Sequence, residues 1–486
     1  MYHISDLKRY NRCPRLFLND YNNKNTSFQP FIRLDETFSN LVIKKLKIEN
    51  YFLGERNDPK ERVLDVLDQY EWFIKARFEY EGLRVKVPFL HRTEEGWDLY
   101  FLFIGLFPHA DDIQFYTNTV WVLNGNGIYP NHIKMVHLNA DYVREEELNE
   151  EELFVISDCF YTDKNNPKIL IKEAVEARMV DVRQVIKKMD ACSYEKMEKP
   201  IRSPKCLGRM KCRYYETCFE EELEDNSILN LVGARYRYDM QKEGRKTIKE
   251  ADIERIEGSR IQYAQIMADL NGGLFIDRLA VQTWMRNITY PITFLDFEWE
   301  RYAIPPYKGM KPFDVLPFEY SIHIMKEDGS LEHKSFLSIH DEREAFAKGL
   351  LRDIPKEGTL IAYNAIGAEM IRIQELANQF PELEEGLLNL NERMKDLQFP
   401  FEIGLVYDTR MKGSWSLKSI MGMMDDTGYE DLNIAQGMEA VYNWRILDKD
   451  EDESSAQRII EELKAYCSMD TYAMTVVYKW LKEIVK

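Results

Sequence analysis

Ile292-Thr-Phe-Leu-Asp296-Phe-Glu298, entered through Tyr290-Pro291, decides how the C-terminal part of this chain is read. The run is apolar and carries two acids, and such a segment predicts a buried strand. Side chains two apart on a strand project from the same face, so Asp296 and Glu298 face the same way. Two acids held on one face repel each other unless a cation sits between them. The apolar lead-in predicts a strand buried deeply enough to hold them in place. Further strands are expected at 317–325 and 358–363, and helices at 367–380, 432–444 and 455–485. Strands alternating with helices in this order predict an α/β or α+β domain with a mixed sheet.

Near the end of the chain, Tyr466-Cys-Ser-Met-Asp470 lies in an amphipathic helical pattern. The i, i+4 spacing puts the phenol and the carboxylate on one face. Asp470 is then a candidate metal ligand, and Tyr466 a hydrogen-bond donor to an attacking water or to the phosphate it attacks. Taken singly, each motif has a plainer reading, an exposed acid pair or a helix-surface hydrogen bond. Between them stand Ile361-Ala-Tyr-Asn364-Ala365 as a strand end and Gly367-Ala368-Glu369 at a helix start, where an acid also serves as a dipole partner. Asp396-Leu397 and Gly413-Ser-Trp-Ser-Leu-Lys418 complete the series.

In this order and at these separations, residues 286–486 resemble the proofreading-type exonucleases of the DEDD class, in the subgroup whose last motif is Tyr-x-x-x-Asp. The resemblance implies an RNase H-like sheet whose acids hold two divalent cations, magnesium or manganese, for attack of water on a phosphodiester. Asp296, Glu298 and Asp470 carry over as metal ligands, with Tyr466 beside them. Glu369 stands for the second-motif acid, although Ala368 replaces the usual aromatic and the spacer from Asn364 is longer. Asp396 matches an accessory acid. Asn364 and Lys418 are candidates for touching the nucleic acid.

The N-terminal part opens with Ile4-Ser-Asp-Leu7 and continues through Tyr10, Cys13, Pro14 and Phe17 as helix broken near Pro14. Strands are expected at 83–90, 97–104 and 132–138, followed by helix over 170–200. Cys206, Cys212 and Cys218 follow with equal gaps, and Cys13 is the natural fourth ligand for a metal. This split layout is not the paired C-x-x-C of ordinary zinc modules. A cluster, a zinc ion or unrelated buried cysteines all remain open on spacing alone. Residues 1–225 resemble RecB-family nucleases, including CRISPR-associated members, whose iron-sulfur pin staples the two ends of the domain; the resemblance implies a [4Fe–4S] cluster on the four cysteines. Active members carry Glu-x-Lys on a core strand. Here that strand has Phe101-Leu102-Phe103, so the domain is expected to cut nothing unless its acids lie elsewhere, for instance at Asp111 and Asp112. A charged helical connector is expected over 226–285. The whole resembles a bacterial family in which a RecB-like domain precedes an exonuclease-like domain.

A net charge of −18 argues against indiscriminate coating of nucleic acid, which needs high local Lys and Arg density. The densest basic run, Arg235, Arg237, Lys242, Arg245, Lys246 and Lys249, is either a solvated helical face or a contact for nucleic acid. No apolar stretch has the length that a bilayer demands, and the N-terminus lacks a signal-peptide layout, so a cytoplasmic protein is expected. With seven cysteines in 486 residues and no export signal, a disulfide framework is not expected. The expected function is a 3′→5′ exonuclease on DNA or RNA with an iron-sulfur clamp domain. The alternative is a catalytically silent nucleic-acid-binding scaffold within a larger repair or defence complex.

Overall fold

The computed structural model describes residues 1–23, 33–207, 211–219, 221–424, 437–447 and 453–486. It divides into two units, Met1–Glu220 with Tyr302–Asp314, and Glu221–Arg301 with Val315–Lys486. Both are mixed α/β, built on mixed sheets. Among the described residues no helix is long and apolar enough to cross a membrane.

The first unit carries β1 (Tyr2–His3), β2 (Tyr51–Leu53), β3 (Trp72–Tyr80), β4 (Leu83–Thr93), β5 (Gly96–Phe103), β6 (Pro130–Leu138) and β7 (Phe154–Ser157). They form one sheet in the order β2-β3-β4-β5-β6-β7, with β1 alongside β4. The turn from β3 to β4 is Glu81-Gly82, both at positive φ, a backbone that suits a tight hairpin. β5 and β6 are parallel, and the crossover between them is the helix Ile113–Gly125. That helix covers a core containing Phe78, Val85, Leu99, Phe101, Val122 and Met135. β8 (Cys159–Tyr161) and β9 (Pro167–Leu170) make a separate antiparallel ribbon. The helix expected over 170–200 is interrupted, forming Ile171–Glu176, Arg183–Asp190 and a short 3₁₀ turn. Asp181 accepts the Arg183 N–H at 3.0 Å and so starts a new helix where the sequence suggested continuity. Helices Ile4–Arg12 and Pro14–Asn22 meet at Cys13, whose backbone is extended, as expected for a residue preceding proline.

The second unit carries β10 (Leu274–Ile276), β11 (Ile292–Arg301), β12 (Val315–Met325), β13 (Leu331–Leu337), β14 (Leu360–Ala362), β15 (Met394–Asp396) and β16 (Val406–Asp408). Five form a sheet in the order β13-β12-β11-β14-β15, antiparallel across β13, β12 and β11 and parallel across β11, β14 and β15. β11 is thus central. It continues past the acids to Arg301, because β12 extends as its partner back to Val315, so Asp296 and Glu298 lie within the strand and not at its end. Leu295, Phe297, Tyr320 and Ile322 pack on one face against Phe346, Leu350, Ile373 and Leu376. The opposite face carries the acids and is covered by the helix Glu453–Ile484. β10 pairs with β16, and the segment read as an all-helical connector contains this strand as well as helices Arg237–Lys242, Arg260–Leu270 and Arg278–Met285. Of the helix expected over 432–444, residues up to 436 lie outside the described residues, and Gly437–Leu447 is helical.

Candidate metal centre and cysteine cavity

The β11 pleat puts Asp296 and Glu298 on one face, and the C-terminal helix brings Asp470 to it. The metal-binding atoms of these three residues all lie within 4.8 Å of one another, the one such grouping of acid, histidine and cysteine side chains among the described residues. Burial drives the Asp296 carboxyl well above the usual range, and the charges of Asp470, Glu298 and Glu369 add to that. Glu298 is raised in the same way, first by burial and then by Asp470, Glu319 and Glu369. Acids held this close without a counterion favour their neutral forms, whereas a bound divalent cation would favour the ionised ones.

Glu369 begins the helix Glu369–Gln379, outside the trio but near enough for its charge to act on Asp296 and Glu298. It is 2% exposed, and its Oε2 has no hydrogen-bond partner. Burial first, with the nearby charges of Asp396 and Asp470, pushes its carboxyl up to about 8, against the pull of its own backbone and of Arg372. Tyr466 sits one helical turn before Asp470. Burial and the carboxylates of Asp470, Glu298 and Asp296 raise the phenol far above its ordinary value, so it remains an O–H donor. The register with β12 shifts after Glu298, where β12 carries Phe318 as an extra residue, and Trp299 still packs on the face of Leu295 and Phe297. Glu300 is consumed by a buried ion pair with Arg445. Gly437, on the helix Gly437–Leu447, lies beside Glu298, for a Cβ on it would stand 3.8 Å from Glu298 Oε2.

Asp396 stands apart from the trio. Its Oδ1 accepts the N–H groups of Asn364 and Gln398, each at 2.9 Å, and its Oδ2 that of Ile366 at 3.5 Å. It thereby holds the loop leading to Glu369, with Asn364 in the left-handed region at φ 60°. Asn364 and Lys418 are exposed. Arg235 lies over Tyr236, and Arg237 lies over Tyr238 while donating to the Leu231 carbonyl at 2.8 Å.

Two residues at the centre were not singled out from sequence. Cys467 donates to Asp296 Oδ2 at 3.3 Å. Its position three before Asp470 on one helix was the available signal. Glu319, on β12, lies directly opposite Glu298.

An all-oxygen donor set with an unpartnered buried carboxylate oxygen fits magnesium or manganese.

In the first unit Cys13, Cys206, Cys212 and Cys218 line a single cavity of about 400 Å³, together with Pro14, Leu16, Pro200, Ile201 and Phe219. The Pro14 break delivers Cys13, the Cys212 N–H donates to the Cys206 carbonyl at 2.9 Å, and Cys218 ends the turn Tyr215–Cys218. Burial raises the Cys218 thiol, and the other three cysteines add to this. A tetrahedral zinc with sulfurs about 2.3 Å away would gather the thiolates tightly. No three of these sulfurs are so gathered. Four thiols on one cavity match the ligand number that either a zinc ion or a four-iron cluster takes. On β5, Phe101 is buried against Phe115 and Tyr116. Asp112 pairs with Lys8 at 3.1 Å.

A family model described as "Domain of unknown function (DUF2779)" matches residues 293–416, a span that holds Asp296, Glu298, Glu319, Glu369 and Asp396 and ends before Tyr466 and Asp470. No curated protein and no solved structure matches the chain.

Proposed function

We propose that this chain is a metal-dependent nuclease of the RNase H-like, DEDD exonuclease kind, acting 3′→5′ on DNA or RNA. The observation that carries the reading is the meeting of Asp296, Glu298 and Asp470 within 4.8 Å from a central strand and a helix far apart in sequence. Two divalent cations, if held by these residues, would activate a water and stabilise the leaving oxygen of the phosphodiester. The chain's own residues do the rest. Asp296, Glu298 and Asp470 bind the cations, with Glu369 completing the set from its helix start. Asp396 positions Glu369 by fixing the Asn364–Ile366 backbone. Tyr466, kept protonated by burial and by its acidic surroundings, donates a hydrogen bond to the water or to a phosphate oxygen. Asn364 and Lys418, exposed on the same unit, with Arg235 and Arg237, would contact the nucleic-acid backbone.

The four-cysteine cavity supports a [4Fe–4S] cluster as a structural staple of the first unit. That unit then acts as a clamp on nucleic acid and not as a second nuclease. A cytoplasmic site of action belongs to the same reading. The test is incubation of purified protein with end-labelled single- and double-stranded DNA and RNA, with magnesium or manganese. Shortening from the 3′ end that disappears with chelator supports the proposal; intact substrate under every condition overturns it.

A further inference from the structure

Glu319 is the lone acid of β12, a strand buried along its whole length. It is 0% exposed, and neither carboxylate oxygen has a hydrogen-bond partner. Directly opposite residues of an antiparallel pair point to the same face, about 4.5–5.5 Å apart at Cβ. Glu319 opposes Glu298 in the register, so it points into the face that carries Asp296, Glu298 and Asp470. Its charge acts on Glu298 and on Cys467, which places it beside the trio. The cation it feels is Lys464 on the C-terminal helix.

Protonation does not solve the problem of this side chain. A neutral carboxyl still leaves an O–H donor and an acceptor unpaired in the interior, and an ionised one leaves a buried charge across from a like charge. A cation between β11 and β12 satisfies both oxygens and removes the cross-strand repulsion. Two cations of a phosphodiesterase site lie about 3.5–4 Å apart, so a ligand of the farther one need not lie within reach of all three trio members.

We propose that Glu319 is a fifth carboxylate of the metal centre, binding the cation held by Glu298. This rests on the reading that Asp296, Glu298 and Asp470 hold divalent cations. It assigns the Glu298 side of the site to a pair of carboxylates facing each other across two strands, while Glu369 serves the side of Asp470.

The experiment counts bound Mn²⁺ on the metal-free full-length protein by electron paramagnetic resonance, for wild type, Glu319→Gln, Glu319→Asp and Asp296→Asn, with thermal melts of each without metal. Glu319→Gln keeps the shape and removes the charge, so it folds and melts no lower than wild type. Its affinity for one Mn²⁺ falls about tenfold or more, within the range seen when supporting carboxylates of metal sites are removed. Glu319→Asp retains part of that affinity, which a purely structural role would not predict. Wild-type stoichiometry and affinity in Glu319→Gln, alongside lost binding in Asp296→Asn, overturns this inference and leaves the metal centre standing. Unchanged binding in Asp296→Asn overturns the metal centre itself and the inference with it.

Discussion

Cys467 donates its S–H to Asp296, with Sγ 3.3 Å from Oδ2, so the central acid is held from the helix side by a thiol. The contact ties the long C-terminal helix to the middle of β11. Thr471, one turn further on, bonds Ser321 at 2.9 Å and His323 at 2.8 Å, so the same helix is also fixed to β12. Replacing Cys467 by Ala leaves these latter bonds intact and frees Asp296. Mn²⁺ affinity is expected to fall by up to about tenfold, as for other groups that orient a metal ligand. A titration showing unchanged affinity would assign the thiol a packing role only.

Asp296→Asn and Asp470→Asn each remove a negative ligand while keeping the side-chain shape. Each is expected to lower metal-dependent cleavage about a hundredfold or more, corresponding to about 3 kcal/mol of transition-state stabilisation. Glu369→Gln tests the second motif in the same assay. Because all three changes relieve repulsion among buried acids, the metal-free variants should melt at or above the wild-type temperature. Loss of activity accompanied by a lower melting temperature would point to damage to the fold instead.

The buried acids make metal-free stability depend on pH in a direction that can be worked out. Glu319 and Glu369 are pushed from an ordinary 4.5 up to about 8, mainly by burial. A carboxyl raised in the folded state binds its proton more tightly there than in the unfolded chain. Its contribution is therefore fully present below the ordinary value and lost as pH rises through the folded one. Melting temperature without metal should fall between about pH 5 and about pH 8, and Glu319→Gln should flatten part of that slope. Saturating Mn²⁺ should raise the melting temperature most at the alkaline end, where the ligands ionise at least cost. Equal stabilisation by Mn²⁺ across the range would contradict the linkage.

The cysteine cavity predicts a brown protein when purified without oxygen, with about four irons per chain. Cys13→Ala and Cys212→Ala should be equally damaging, since either opens the same cavity from a different part of the chain. Iron content and protease resistance of residues 1–220 measure this directly. Stoichiometric zinc in place of iron would replace the cluster by a structural zinc.

A full-length Asp296→Asn/Asp470→Asn protein with its cysteine site loaded should show no residual metal-dependent cleavage. Phe101, packed on Phe115 and Tyr116, occupies the strand position where the first unit would need an acid. Chelator-sensitive cutting that persists in the double variant would place working acids in that unit.

The strand around Asp296 and Glu298 and the helix around Tyr466 and Asp470 were legible in the sequence, because a pleat of period two and a helix of 3.6 residues per turn are local properties. So was the break at Pro14, which is set by proline sterics. Local reading also put the acids in a defensible order along the chain. It could not show that the strand runs on to Arg301, since that extension depends on pairing with β12. Nor could it turn Asp396 towards the N–H groups of the Glu369 loop, or put Glu319 opposite Glu298, or set Cys467 against Asp296. Register, parallel crossovers and the seating of the C-terminal helix on the acid face are decided by which distant apolar surfaces bury one another. The sequence alone therefore determined which chemistry-bearing side chains are present and on which local faces they lie. Only the tertiary structure decided which of them meet, because the energy that brings them together comes from long-range packing and not from the residues themselves.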